Sequence, residues 1–329
     1  MSIDQTTTGA APATAFPAET SDDRRHHKYL FVALALLLVA APFVFYPFFL
    51  MKLLCFALFA SAFNLLLGYG GLLSFGHAAY FGMASYVCAH AAKVWGLPPE
   101  LAILSGTAAA AVLGLAFGSL AIRRQGIYFA MVTLAFAQMV YFFALQAPFT
   151  GGEDGIQAVP QGRMFGVLNL ANPTVLYFVV ATIFILGILL IYRIVHSPFG
   201  QVLKAIRENE PRALSLGYRT NQYKLAVFVL SATIAGLAGA TKAIVVQLAS
   251  LTDVYWGMSG EVVLMTLLGG MGTVFGPMVG AAVIITMQTY LASLGAWVTV
   301  IQGVIFVVAV LLFREGIVGV IGRLLKKRL

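Results

Sequence analysis

Charged side chains are scarce in these 329 residues: Asp, Glu, Lys and Arg make up only 10% of the chain. Soluble domains carry roughly a quarter. A water-soluble globule of this length is excluded, because no polar shell can be built and lipid must cover much of the surface. Cysteine is nearly missing too. Cys55 and Cys88 are the only two, both in apolar stretches, and they read as small buried hydrophobes rather than a disulfide. There is no Cys/His cluster with metal spacing and no G-x-x-x-x-G-K-[ST] loop to cradle ATP. No apolar run holds paired acidic residues, which argues against a pump that powers itself with protons or sodium. No catalytic residue, cofactor or metal site is expected, and the chain is not expected to be an enzyme.

What is present is hydrophobic: 60% of the residues, with a mean hydropathy of +0.93. The apolar runs are long and lack the period-2 alternation of barrel strands, so the fold class is all-α. A polytopic membrane bundle of about 8–10 helices is expected, some broken or re-entrant. The spans are expected near 29–46, 48–67, 77–95, 101–122, 127–146, 174–195, 225–248, 261–271, 276–294 and 297–313. The first reads as a retained helix rather than a cleaved signal. Residues 1–28 form an expected disordered cytoplasmic tail, 29–315 the membrane domain and 316–329 a basic cytoplasmic C-terminus.

The net charge of +8 comes from basic residues beside apolar spans, as membrane topology requires, and implies lipid rather than nucleic acid as a partner. With ten spans, Arg24/Arg25/Lys28, Arg123/Arg124, the 193–224 cluster and Arg314 with Lys326/Lys327/Arg328 all fall on one side. That side is then cytoplasmic, with both termini inside. Lys93 and Lys242 sit toward span ends, where their heads can reach the interface.

Two glycine-rich runs interrupt the spans, Gly68 through Gly82 and Gly269 through Gly280, and a faint parallel repeat links them. Broken helices expose backbone groups that can line a pathway. Tight helix packing explains the same glycines, and the residues alone do not choose. The candidate path comprises Asn64, Gly71, Ser74, Gly76, His77, Thr133, Gly270 and Gly272, with Gln138, Ser231 and Thr233 as further polar groups.

The segment 196–224 lies on the cytoplasmic side. Ser197 and Pro198 suit an N-cap and first helical position. Phe199, Val202, Leu203 and Ile206 follow as one apolar stripe, with Gln201, Lys204, Arg207 and Glu208 on the other face. Pro211 can open a second helix, Gly217 can close it, and Thr220 can cap the next span. The pair is either a helix lying on lipid or a docking element.

That segment resembles the coupling loop of ABC-importer permeases, and the chain from about 30 to 320 resembles the LivM-type permeases of branched-chain amino acid importers. The likeness is carried by Gly68–Gly82, Arg123–Leu134, Thr150-Gly151-Gly152 with Gly155, Ala205–Glu210 with Ala213 and Gly217, and Gly269-Gly270-Met271-Gly272 with Gly276-Pro277. In the general loop signature Pro211 and Arg212 stand in place of the usual first two positions. The resemblance implies an inner-membrane permease subunit without its own ATPase site. Its implied partners are two cytoplasmic ATPase subunits, a second permease subunit and an extracytoplasmic binding protein. The implied ATPase-coupling residues are Phe199, Val202, Leu203, Ile206, Glu208, Glu210, Ala213 and Gly217. Branched-chain amino acids are the implied cargo, with urea, short amides or other amino acids as the alternative.

Overall fold

The computed structural model describes residues 21–295, 297–312 and 316–319. The expected tail up to residue 20 and the basic C-terminus beyond residue 319 lie outside the described residues. Helix α1 (Ser21–Ala40) starts ahead of the apolar run itself and is followed by a short 3-10 turn. Helix α2 (Pro47–Asn64) continues as a π-helical turn, Leu65–Tyr69, into an irregular segment. Then come α3 (His77–Lys93), α4 (Pro99–Ala121), α5 (Ile127–Gln146) and α6 (Pro173–Val195). Two short helices, α7 (Pro198–Glu208) and α8 (Glu210–Ser215), precede the long α9 (Thr220–Val246). Helices α10 (Trp256–Gly269), α11 (Gly276–Tyr290) and α12 (Trp297–Leu312) complete the order. Nine of the ten expected spans match α2–α6 and α9–α12 to within about five residues, whereas α1 begins and ends well before the expected 29–46. The protein is a multi-pass helical membrane protein. Five helices, α2 with its π-turn, α4, α5, α6 and α9, are long and apolar enough to cross a bilayer alone.

Proline sets several starts: α2, α4, α6, α7, α8 and α11 each carry Pro in the first two positions, where the missing N–H costs nothing. Helices α2 and α9 are buried along most of their length, while α4, α5 and α6 leave more than half of theirs open to lipid. Around α9 pack α2, α3 and α4; α6, α10 and α11 pack on α2. Small residues allow the close approach on which lipid-embedded packing depends. A β-carbon at Gly239 would collide with the Phe81 carbonyl, and one at Gly236 with Ala110. Both cysteines are free and buried in this core.

One end of the bundle carries α7, α8 and both glycine breaks. The other end carries the 147–172 loop, tied to the α9–α10 link by two short antiparallel strands, β1 (Ile156–Gln157) and β4 (Leu248–Ala249). A second strand pair, β2 (Arg163–Met164) with β3 (Leu168–Asn169), lies within that loop.

Here Lys242 differs from expectation. It does not reach the interface but is buried, its Nζ donating to Asp253 Oδ2 at 2.6 Å with side chains 7% and 4% exposed. The link after α9 folds back over the helix end, and Ser250 N–H also donates to Asp253, so the carboxylate is carried inward to meet the ammonium. Removing one partner of a buried pair leaves an uncompensated charge costing about 3–5 kcal/mol. Lys242→Met is therefore expected to lower the unfolding free energy by about 3–5 kcal/mol. Adding Asp253→Leu should recover most of that loss. Chemical unfolding of the detergent-solubilised protein reads both.

Candidate functional site

The two glycine breaks meet. Both fall at the bundle end that carries α7 and α8, and their freed backbone groups are taken up by side chains within the breaks and from elsewhere in the fold. Asn64, the last residue of α2, reaches across to the second break: its Nδ2 donates to the Thr273 carbonyl at 2.8 Å and its Oδ1 accepts from Gly272 N–H at 2.9 Å. Thr273 Oγ1 accepts from Gly276 N–H at 3.0 Å and donates to the Gly270 carbonyl at 2.9 Å. In the first break, Phe75 N–H donates to Thr133 Oγ1 at 3.1 Å and Gly76 N–H to Ser74 Oγ at 3.2 Å. Ala78 N–H, in the first turn of α3, donates to Ser259 Oγ on α10 at 2.9 Å. Each freed group would otherwise cost a desolvation penalty of about 1–3 kcal/mol.

Glycine is required at this junction. Gly71, Gly270 and Gly272 have φ of 67°, 123° and 79°, the left-handed region that side chains avoid. At Gly68 a β-carbon would stand 2.7 Å from the Gly272 backbone nitrogen, so the two breaks touch there. At Gly76 it would stand 2.8 Å from the Thr133 carbonyl oxygen.

Helix α7 joins this junction through Arg207, whose Nη1 donates to the Gly68 carbonyl. One turn back, Lys204 Nζ lies 5.7 Å from the centroid of the Tyr69 ring. A guanidinium beyond the π-turn thus takes up a carbonyl that α2 can no longer satisfy. The sequence placed Arg207 on the polar face of its helix but did not single it out. The available signal was two cations, Lys204 and Arg207, one turn apart on the polar face of the same helix.

The residues expected from sequence fall into groups. Asn64, Gly71, Gly270 and Gly272 lie at the junction. Ser74, Gly76 and Thr133 form the seam between the first break and α5, and Ser74, His77 and Thr133 are wholly buried. His77 Nε2 is 2.8 Å from Ser231 Oγ, and the Ser231 hydroxyl donates to the Ala62 carbonyl at 2.6 Å. The hydroxyl has one hydrogen, so His77 Nε2 must be the donor. Its Nδ1 has no hydrogen-bond partner among the described residues, and Phe63 and Tyr80 stand edge-on to the ring. A cavity of about 160 Å³, lined by Tyr46, Met51, Gln161 and Leu176 among others, lies at the opposite end, away from these groups.

The α7–α8 segment folds largely as its sequence indicates. Ser197 caps α7, accepting from Gly200 N–H at 3.3 Å, and Gly217 is left-handed with φ 88°. Asn209 supplies a second cap by accepting from Arg212 N–H at 3.0 Å. Thr220 does not cap α9 but is its first residue, because the turn leaving Gly217 puts Arg219 at the cap position. The apolar stripe faces its own bundle: Leu203 and Ile206 are buried, and Phe199 stacks on Tyr223 at 5.5 Å. Val202 is half-buried and Glu208 exposed. Glu210 clamps the segment down, taking Lys224 Nζ at 2.6 Å and Gln125 Nε2 at 3.1 Å. Ala213 is buried behind it. The large apolar side chains left outward on α8 and the turn after it are Leu214, Leu216 and Tyr218.

The protein is a membrane-embedded helical bundle with paired helix breaks and an amphipathic helix pair at their end, and the chain belongs to the family described as branched-chain amino acid transport system / permease component, which matches residues 46–310. Among known proteins it is similar to the high-affinity branched-chain amino acid transport system permease protein LivM of Salmonella typhimurium and of Escherichia coli, at 26% and 25% identity. Those matches cover 77% of this chain and 65% of each relative's length, so the chain spans just under two thirds of the LivM proteins. It is also similar to the ribose import permease protein RbsC of Bacillus subtilis, 28% identical over 76% of each chain. No solved structure matches it.

Arg207→Ala is expected to raise hydrogen–deuterium exchange across residues 66–73 roughly tenfold, as a bond worth about 1.5–3 kcal/mol is lost. The amides of α4 should not change. Exchange mass spectrometry of the purified protein checks this.

Proposed function

We propose that the chain is the membrane permease subunit of an ATP-driven importer for branched-chain amino acids in the cell inner membrane. The observation that carries this reading is the Arg207 link, which joins an amphipathic surface helix to the junction of two broken membrane helices. The α7–α8 end, rich in Lys and Arg, is cytoplasmic, and both termini are on that side. Residues 29–315 form the permease domain and 196–224 its coupling loop. Two ATPase subunits dock on the exposed Leu214, Leu216 and Tyr218, a second permease subunit completes the path, and a binding protein delivers cargo at the opposite face. The chain supplies no chemistry of its own.

The arrangement suits transmission of a push. When the ATPases close, α8 is displaced; Glu210, Lys224 and Gln125 tie α8 to α9 and to the α4–α5 turn, so these move with it. Through the buried Leu203 and Ile206, α7 follows. Arg207 then draws on Gly68, and Asn64 passes the motion to Gly272 and Thr273. Glycine breaks are the soft points where helices can tilt. Gly76, Ser74, His77 and Thr133 sit where such a tilt would open a path between α3, α5 and α9.

A second cargo reading, a sugar, is favoured by the similarity to the ribose permease. Uptake by the assembled transporter in a strain lacking its own systems separates the readings: labelled leucine is expected to accumulate, while ribose and urea are not. Leu214→Asp with Leu216→Asp should abolish that uptake while leaving membrane insertion intact. Retained uptake in this variant removes the docking assignment.

A further inference from the structure

The second glycine break carries a contact outside the route from Arg207 through Asn64. Beyond α12 the chain lies against the junction: residues 316–319 are helical, Gly316 and Val318 are buried, and Ile317 packs on the core. A β-carbon at Gly316 would stand 2.5 Å from the Gly270 backbone nitrogen and 3.0 Å from the Gly269 carbonyl carbon, and would collide with the Gly270 α-carbon. The backbones of Gly316 and Gly270 therefore lie face to face. Their φ angles are 75° and 123°, both in the region that side chains avoid, so each side of the contact calls for glycine. Among the described residues no hydrogen bond joins 316–319 to the break. The segment rests there by van der Waals contact alone.

This contact falls on a hinge. Helix α10 ends at Gly269 and α11 starts at Gly276, so Gly270 lies in the non-helical link between them. Helix α12 packs against both α10 and α11. A link bridged in this way cannot change its angle unless the bridging element moves with it. Two backbones already at contact distance do not compress, so a seated Gly316 blocks Gly270 from moving toward it. A contact without hydrogen bonds also parts without stranding a polar group. The Arg207 bond to Gly68 is different, since its loss leaves a carbonyl unmet. The one connection transmits a pull; the other blocks and can let go.

We propose that residues 316–319 form a releasable latch on the second glycine break, with Gly316 as the positioning residue that holds the angle between α10 and α11 in the resting state. While it is seated, the junction cannot tilt on its α10–α11 side. When it lifts, the Gly270 link is free to move. The consequence for ATP use rests on the importer reading above: the latch keeps a resting subunit from yielding to its ATPases, so hydrolysis stays low until the segment is displaced.

The test compares the full chain in lipid nanodiscs with Gly316→Val, with a chain ended at residue 315, and with Gly303→Val. The last is the matched control, because a β-carbon at Gly303 on α12 meets no heavy atom within 4 Å. Hydrogen–deuterium exchange of residues 269–276 should rise roughly tenfold in the first two variants and stay at the wild-type level in Gly303→Val. Unchanged exchange in α4 shows that each variant is folded, and the shortened chain tests the latch without inserting bulk. In the assembled transporter, ATP hydrolysis without binding protein should rise several-fold in both variants, while leucine taken up per ATP falls. Exchange at 269–276 that is unaltered in both variants overturns the latch. So does hydrolysis that falls in step with uptake, the outcome expected of packing alone. If the wild-type transporter does not couple ATP to leucine uptake, the importer reading fails, and the exchange result decides the latch by itself.

Discussion

A helix that stops inside an apolar medium leaves amides and carbonyls with no water to take them, and this protein stops helices twice at the same depth. The structure depends on how those groups are satisfied. Asn64 alone takes up two of them, donating to the Thr273 carbonyl and accepting from the Gly272 amide, and so joins the two breaks. Arg207 takes a third from outside the membrane bundle. Because an unmet backbone group costs about as much as a whole hydrogen bond, these side chains fix where the breaks sit and which surface helix they answer to.

Charge is distributed to the same logic. At one end Glu210 with Lys224 and Gln125 ties the surface helices to the bundle; at the other Lys242 with Asp253 ties the return link to α9. Between them the described helices are linked mostly by hydroxyls bonded to backbone groups and by His77 with Ser231. Such contacts are modest singly. They suit a bundle that must hold its shape yet tilt at its glycines, where no side chain resists.

Much of this fold is legible from residues alone. Apolar runs locate nine helices within a few residues of their ends, since span length is set by the bilayer, while α1 extends into the charged residues ahead of its apolar run. Ser197, Pro198 and Gly217 announce the surface helices by local chemistry. Less legible are features created by distant contacts. The π-turn at Leu65–Tyr69 follows from Asn64 and Arg207 meeting partners 208 and 139 residues away, which no local pattern contains. Lys242 reads as an interfacial lysine because Asp253 lies in a loop, and only the fold-back brings them together. The candidate polar residues are mostly found beside the breaks.

The central claim is that Arg207 transmits work from the surface helix to the glycine junction. The direct measurement is the ratio of leucine transported to ATP hydrolysed by the assembled transporter carrying Arg207→Ala. Hydrolysis should continue while uptake falls to background, with Arg207→Lys recovering part of it. Uptake and hydrolysis that stay in the wild-type ratio would contradict the account.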